Sequence, residues 1–195
     1  DEIILWSDGC CYQNRNVVVS NALLNLAMKR GITIVQKYLE KGHTQMECNS
    51  MHSTIKRKFQ KKEVYSPSMY KIYCETARIR PKPYHVRYWN HDEFLDYSDI
   101  EFYKSIRPGV KKGDPVVVDL RALRYQPDGK ILYKLHHSDS WSELKHRKKT
   151  PTKPKKPSRL FENRLRIEPT KWAHLQSLKH VLPRDTHLFW DNLPH

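Results

Sequence analysis

The chain has 195 residues, with 36 Lys and Arg against 21 Asp and Glu, a formal net charge of +15. Its hydrophobic share of 38% supports one domain of ordinary size with a small appendage, and is low for a compact enzyme. No run approaches the ~18 apolar residues of a membrane-crossing helix, and Cys10, Cys11, Cys48 and Cys74 form neither a disulfide framework nor a zinc knuckle, which suits a reducing compartment.

Ile3-Ile4-Leu5-Trp6-Ser7-Asp8-Gly9-Cys10 reads as a buried central strand that ends on an acid and a glycine. A core strand needs neighbours for its backbone groups. The run begins at residue 1, so the chain reads as the C-terminal part of something longer. A polar turn, Tyr12–Asn16, leads to a helix over Val17–Arg30, with Leu23, Leu24, Ala27 and Met28 on one face and Gly31 as its stop. Ile32–Gln36 is β-branched and predicts a strand. Strand, helix, strand predicts a βαβ unit with parallel strands.

Gly42-His43-Thr44 follows, then a helix from Gln45 to about Gln60 with Met46, Met51, Ile55 and Phe59 as its stripe. Ser66-Pro67 predicts an N-cap and first position of another helix, carrying Met69, Tyr70, Tyr73 and Ala77 inward and ending before Pro81. Tyr84–Trp89 alternates like a strand, and Tyr97–Ile106 reads as a short helix or turn. Val116–Tyr125 and Lys130–Leu135 predict two strands, joined by Pro127-Asp128-Gly129 as a tight turn. Residues 145–159 carry eight Lys/Arg, three prolines and no acid, the composition of an extended, mobile linker. Pro169–Leu182 predicts a helix with Trp172, Leu175, Leu178 and Val181 on its apolar face. The expected organisation is a core over residues 1–82, a β-rich extension over 83–144, the basic linker over 145–159 and a helical segment over 160–195.

In a parallel βαβ unit both strand ends lie on one sheet edge. Asp8, His43, Glu47, Asn49 and His52 would then converge there. Two-metal phosphoryl transfer needs carboxylates around ions ~4 Å apart, and a strand-end acid with a later helix acid is one way to build that cage. Asp8-Gly9 reads equally well as a plain turn, and Glu47 as a solvated helix residue.

Ser7-Asp8-Gly9-Cys10, Gln13-Asn14-Arg15-Asn16, Gly42-His43-Thr44-Gln45-Met46-Glu47-Cys48 and Ser50-Met51-His52-Ser53-Thr54-Ile55 together resemble a family of transposon-derived eukaryotic proteins. These are similar to transposase and integrase domains of the RNase H-like fold. The likeness continues through Arg107-Pro108-Gly109, Gly113-Asp114-Pro115-Val116-Val117 and Leu175-Gln176-Ser177-Leu178. The resemblance implies an α/β chain holding part of an RNase H-like core. It implies that Asp8 is the second acid of an Asp-Asp-Asp/Glu set that binds Mg²⁺ or Mn²⁺, with the first acid on an earlier strand outside this chain. Asn49 stands where the family pattern has aspartate, and Lys56 where it has glutamate. An amide lacks the charge that holds a divalent ion, and a lysine repels it. Glu47 is the substitute ligand to consider, and His43 would orient water or a phosphate. The expectation is a degenerate site. If active, it would catalyse metal-dependent phosphodiester cleavage or strand transfer.

Lys56, Arg57, Lys58, Lys61, Lys62, Arg78, Arg80 and Lys82 cluster in sequence, with Phe59, Tyr65, Tyr70 and Tyr73 interleaved. Cations neutralise phosphates and release counterions, and rings stack on bases. Lys145, Arg147, Lys148, Lys149, Lys153, Lys155 and Lys156 form a second cluster, readable as a basic strap or a nuclear import signal. The expected partner is DNA or another nucleic acid, in the nucleus and without a membrane. A non-catalytic interaction module is the alternative, and an oligomer is compatible with both.

Overall fold

A computed structural model of the chain describes residues 1–40, 42, 46–145 and 153–195. The fold is mixed α/β and divides into two units, residues 1–44 with 95–158, and residues 45–94 with 159–195.

The first unit is built on a five-stranded mixed sheet. Its strands are β1 (Glu2–Ser7), β2 (Thr33–Tyr38), β3 (Ala122–Tyr125), β4 (Ile131–Lys134) and β5 (Ser142–Glu143), in that spatial order. β1 and β2 are parallel, from Glu2 opposite Thr33 to Ser7 opposite Tyr38. The predicted parallel pair is therefore present. β3 lies antiparallel on β2, β4 on β3, and β5 on β4.

Helix α1 (Val17–Arg30) connects the parallel strands. The Asn16 side chain accepts from the Val19 N–H at its start, and Gly31 takes the left-handed conformation (φ 67°) that closes it. Lys29 and Arg30 occupy its negative end. The predicted apolar face turns inward. Leu24 and Ala27 are fully buried, with Leu23 and Met28 packed at the margin. They meet one face of the sheet, where Ile34, Tyr38, Leu123, Tyr125 and Ile131 lie. Ile100, Phe102, Tyr103 and Ile106 complete this core from a segment without regular helix.

Several expectations change. β1 is an edge strand, not a central one. Its Ile3, Ile4, Leu5 and Trp6 are 44, 47, 39 and 50% exposed. An apolar run marks a strand with buried faces but cannot report how many strands flank it. The hairpin expected in a separate extension instead continues the main sheet through the β2–β3 pairing. Its turn is as read, with Gly129 at φ 89° and its N–H donating to Gln126 O at 3.0 Å. Only the second half of Val116–Tyr125 is strand, because Val117–Asp119 forms a 3-10 turn. Tyr84–Trp89 forms no strand. Of the expected mobile linker, residues 146–152 lie outside the described residues, but Lys155 is held. Its main chain exchanges two hydrogen bonds with the Asn25 side chain, at 2.7 and 2.9 Å.

The second unit contains α2 (Glu47–Phe59), α3 (Pro67–Glu75), α4 (Pro169–Ser177) and α5 (His187–Asp191). Ser66 caps α3 and Pro67 opens it, as predicted. α2 and α3 meet through Phe59, whose ring lies 4.6 Å from Tyr70 and 5.6 Å from Tyr73. α2 has no fully buried residue. Tyr70 is half-exposed rather than inward, and so is Leu178 of the terminal segment, where Val181 is also exposed. Gln176 donates to Trp190 O at 3.0 Å, tying α4 to α5. A largely apolar cavity of about 710 Å³ lies in this unit, lined among others by Tyr65, Tyr70, Tyr88, Phe189 and Trp190.

Candidate functional site

The chain leaves β1 at Ser7 and turns sharply. The N–H groups of Gln13, Asn14 and Arg15 all converge on Cys10 O, at 3.2, 2.8 and 3.1 Å. This turn returns Asn14 to Asp8, whose Oδ1 accepts from Asn14 Nδ2 at 2.7 Å and from Cys10 N–H at 3.3 Å. Asp8 is exposed. The loop rests on a buried support. Asn14 O accepts from Gln36 Nε2 at 2.9 Å and from the Tyr38 hydroxyl at 3.3 Å. Tyr125 in turn donates to Gln36 Oε1 at 2.7 Å.

Arg15 is the second support. It is buried, donates to Val118 O at 2.7 Å and lies over the Tyr38 ring at 4.4 Å. Burial depresses its pKa, offset in part by Tyr38, and burial raises the Tyr38 phenol well above its ordinary value. Gly9 passes so close that a Cβ there would stand 2.3 Å from Arg15 Nη2. The polar segment Gln13–Asn16, readable in sequence only as a turn, thus sets Asp8 in place through Asn14, anchors the loop through Arg15 and starts α1 through Asn16.

The other expected site residues are His43, Glu47 and Asn49. His43 lies outside the described residues. Glu47 and Asn49 are exposed in the first turn of α2, in the second unit; Asn49 Oδ1 accepts from the Cys48 thiol at 3.3 Å. Among the described residues, no three or more His, Cys, Asp or Glu side chains come together in a way that could hold a metal ion. Mg²⁺ takes six ligands in near-ideal octahedral geometry, usually with one or two carboxylates. Within the first unit, Asp8 is the expected ligand that is described, and one of its oxygens is engaged by Asn14 and Cys10. These residues do not by themselves make up a divalent-ion site.

The basic residues are open to solvent. Lys56 and Arg57 are exposed and Lys58 half-buried in the last turn of α2, with Lys61 and Lys62 exposed just beyond. None of the five forms an ion pair among the described residues. Cations at a helix C-terminus suit the dipole, but that accounts for the last turn of α2 and not for Lys61 and Lys62. Arg78 is locally engaged, donating to Lys82 O at 3.0 Å and lying over Tyr84 at 4.2 Å. Arg80, Lys82 and Lys145 are exposed. Arg147, Lys148 and Lys149 lie outside the described residues.

No family model matches this chain, and no curated protein or solved structure matches it.

Proposed function

We propose that the protein is a nuclear, nucleic-acid-binding module, derived from a transposase-type RNase H-like domain whose metal site has decayed. The observation that carries this reading is the group Lys56, Arg57, Lys58, Lys61 and Lys62 at and just beyond the end of α2, with no acidic partner among the described residues, in a chain of net charge +15. Uncompensated cations at this density gain most from a polyanion, because each phosphate contact releases a condensed counterion. Support for the transposase ancestry is the sequence resemblance, together with a strand-end acid beside a parallel strand pair. Support for decay is Asn49 and Lys56 at positions the family pattern gives to acids. The catalytic alternative places Asp8 as the surviving ligand for Mg²⁺ or Mn²⁺, which would supply Lewis-acid chemistry for phosphodiester cleavage. On the present reading Asp8 serves the loop.

The test is duplex DNA binding across a salt series. Five phosphate contacts give a log–log slope of about −4 to −5. Replacing Lys56, Arg57 and Lys58 by alanine should flatten that slope by about three, while Asp8→Ala leaves affinity unchanged. A flat salt response of the parent protein overturns the reading. Metal-dependent cutting that disappears in Asp8→Ala favours the catalytic alternative.

A further inference from the structure

The face of the first unit's sheet opposite α1 is built from residues other than Asp8 and α2. On this face β1 presents Ile4 and Trp6, opposite Val35 and Lys37 of β2. β3 continues the rows with Arg124 opposite Val35 and Ala122 opposite Lys37, and β4 with Leu132 and Lys134. α1 packs against the other face. Trp6 is half-exposed and Ile4 nearly so.

Cations lie over the rings of both tryptophans of this face. Lys37 Nζ stands 5.1 Å from the Trp6 ring, and the His137 ring is 5.8 Å from it. Trp141 is half-buried, with the Arg124 guanidinium over its ring at 4.7 Å and Lys134 Nζ over it at 4.8 Å. Two acids of these rows are ion-paired: Glu2 with Arg124 at 2.9 Å and Glu143 with Lys130 at 3.4 Å. Lys37 and Lys134 form no ion pair among the described residues. Ala122 lies between these lysines and is the small residue of the row.

We propose that this face is a stacking platform for single-stranded nucleic acid, with Trp6 and Trp141 each receiving an unpaired base and Lys37 and Lys134 meeting the adjoining phosphates. The chemistry selects the occupant. A sheet face with aromatic rings beside cations that have no acidic partner among the described residues fits a chain with a π-face and a negative charge in each repeat. A purely apolar partner would desolvate the Lys37 and Lys134 ammonium groups and supply no negative charge in return. A duplex hides its base faces and cannot use the rings. The inference rests on the nucleic-acid reading above and adds the strand state and a separate surface.

The experiment measures binding of the full chain to a dT20 oligonucleotide and to a duplex of equal length, by fluorescence anisotropy. Stacking of one base on a ring contributes ~1–3 kcal/mol, so Trp6→Leu and Trp141→Leu should each weaken dT20 binding by between ~5-fold and ~150-fold. Duplex affinity should stay within about twofold, since phosphate contacts do not use the rings. Lys37→Gln with Lys134→Gln keeps both indoles and should lower the dT20 salt slope by about 1.4, near 0.7 per phosphate on a single strand. If the parent binds duplex and the Lys56–Lys58 alanine variant does not, while dT20 affinity ignores both tryptophan variants, the platform is overturned and the α2 reading stands. If the parent binds neither probe, both fall. Loss of a parent self-association in Trp6→Leu, with dT20 binding unchanged, would assign the face to a second copy and also overturn the platform.

Discussion

Gly9 and Arg15 show how much of the Asp8 loop depends on two side chains' worth of space. The guanidinium sits against the Gly9 backbone because it must reach Val118 O while lying on Tyr38. Arginine ends are flexible, so a Cβ at position 9 would be harmless if Arg15 were free to swing aside. It is not free, being buried with one hydrogen bond and one ring contact to lose. Gly9→Ala should therefore destabilise the protein by about 1–3 kcal/mol, read as a shift in the urea midpoint at constant slope. In an Arg15→Ala background the same substitution should cost almost nothing, and a double-mutant cycle reports the difference. Equal costs in the two backgrounds would mean that the turn itself, and not the guanidinium, rejects the methyl group.

Among the elements, α1 does more than its apolar stripe announces. Asn21 and Asn25 are one helical turn apart, so they point the same way. Each grips a whole peptide. Asn21 donates to Tyr103 O at 3.0 Å and accepts from Tyr103 N–H at 2.9 Å, and Asn25 does the same for Lys155. An amide side chain matches a backbone amide donor for acceptor, so these pairs satisfy segments that have no strand neighbour. Asn21→Ala removes the side-chain partner of a buried N–H and a buried C=O, each loss worth about 1–3 kcal/mol. The expected loss is about 2–5 kcal/mol in chemical denaturation, with a smaller loss for Asn25→Ala because Lys155 is exposed. Comparable losses would assign Asn25 a buried role equal to that of Asn21. The sequence shows the local part of this architecture well. Gly31, Ser66-Pro67 and Asp128-Gly129 carry their own backbone chemistry, and each sits where it was expected. The asparagine clamps were a weaker signal, two poor helix formers in mid-helix, and their partners lie 82 and 130 residues away. The edge position of β1 and the entry of β3 into the sheet are likewise long-range pairings that no local pattern encodes. The site was legible only as residue types. Asp8 and its loop could be named, but that Asn14 and Arg15 hold the loop follows from contacts with β2 and the Val118 turn.

At the scale of the whole molecule, each unit draws on two separated stretches of chain, so a cut at residue 82 would strip β3, β4 and β5 from the first sheet. The core of the first unit is held by polar as well as apolar burial, and three of its tyrosines give it a pH signature. Tyr38, Tyr103 and Tyr125 are fully or almost fully buried. Burial raises all three phenols above the ordinary value of 10.0, Tyr103 to about 12. The Tyr103 shift would be larger if its oxygen did not accept from Ile131 N–H at 3.0 Å, a bond that favours the ionised form. Above pH 10 the unfolded chain releases these protons and the folded one retains them. The native state then binds more protons, so stability falls as pH rises. The contribution is complete below pH 10 and is lost progressively as pH climbs toward 12. Urea midpoints measured between pH 8 and pH 12 should therefore hold steady and then drop steeply. Tyr103→Phe separates the two roles of that residue. At pH 7 it should be less stable by about 1–3 kcal/mol, because Ile131 N–H loses its acceptor in the core. Between pH 10 and pH 12 it should lose less stability than the parent, since one fewer phenol resists ionisation. Parallel curves for the two proteins would show that Tyr103 titrates alike in the folded and unfolded chain, and the alkaline loss would then belong to Tyr38 and Tyr125 alone.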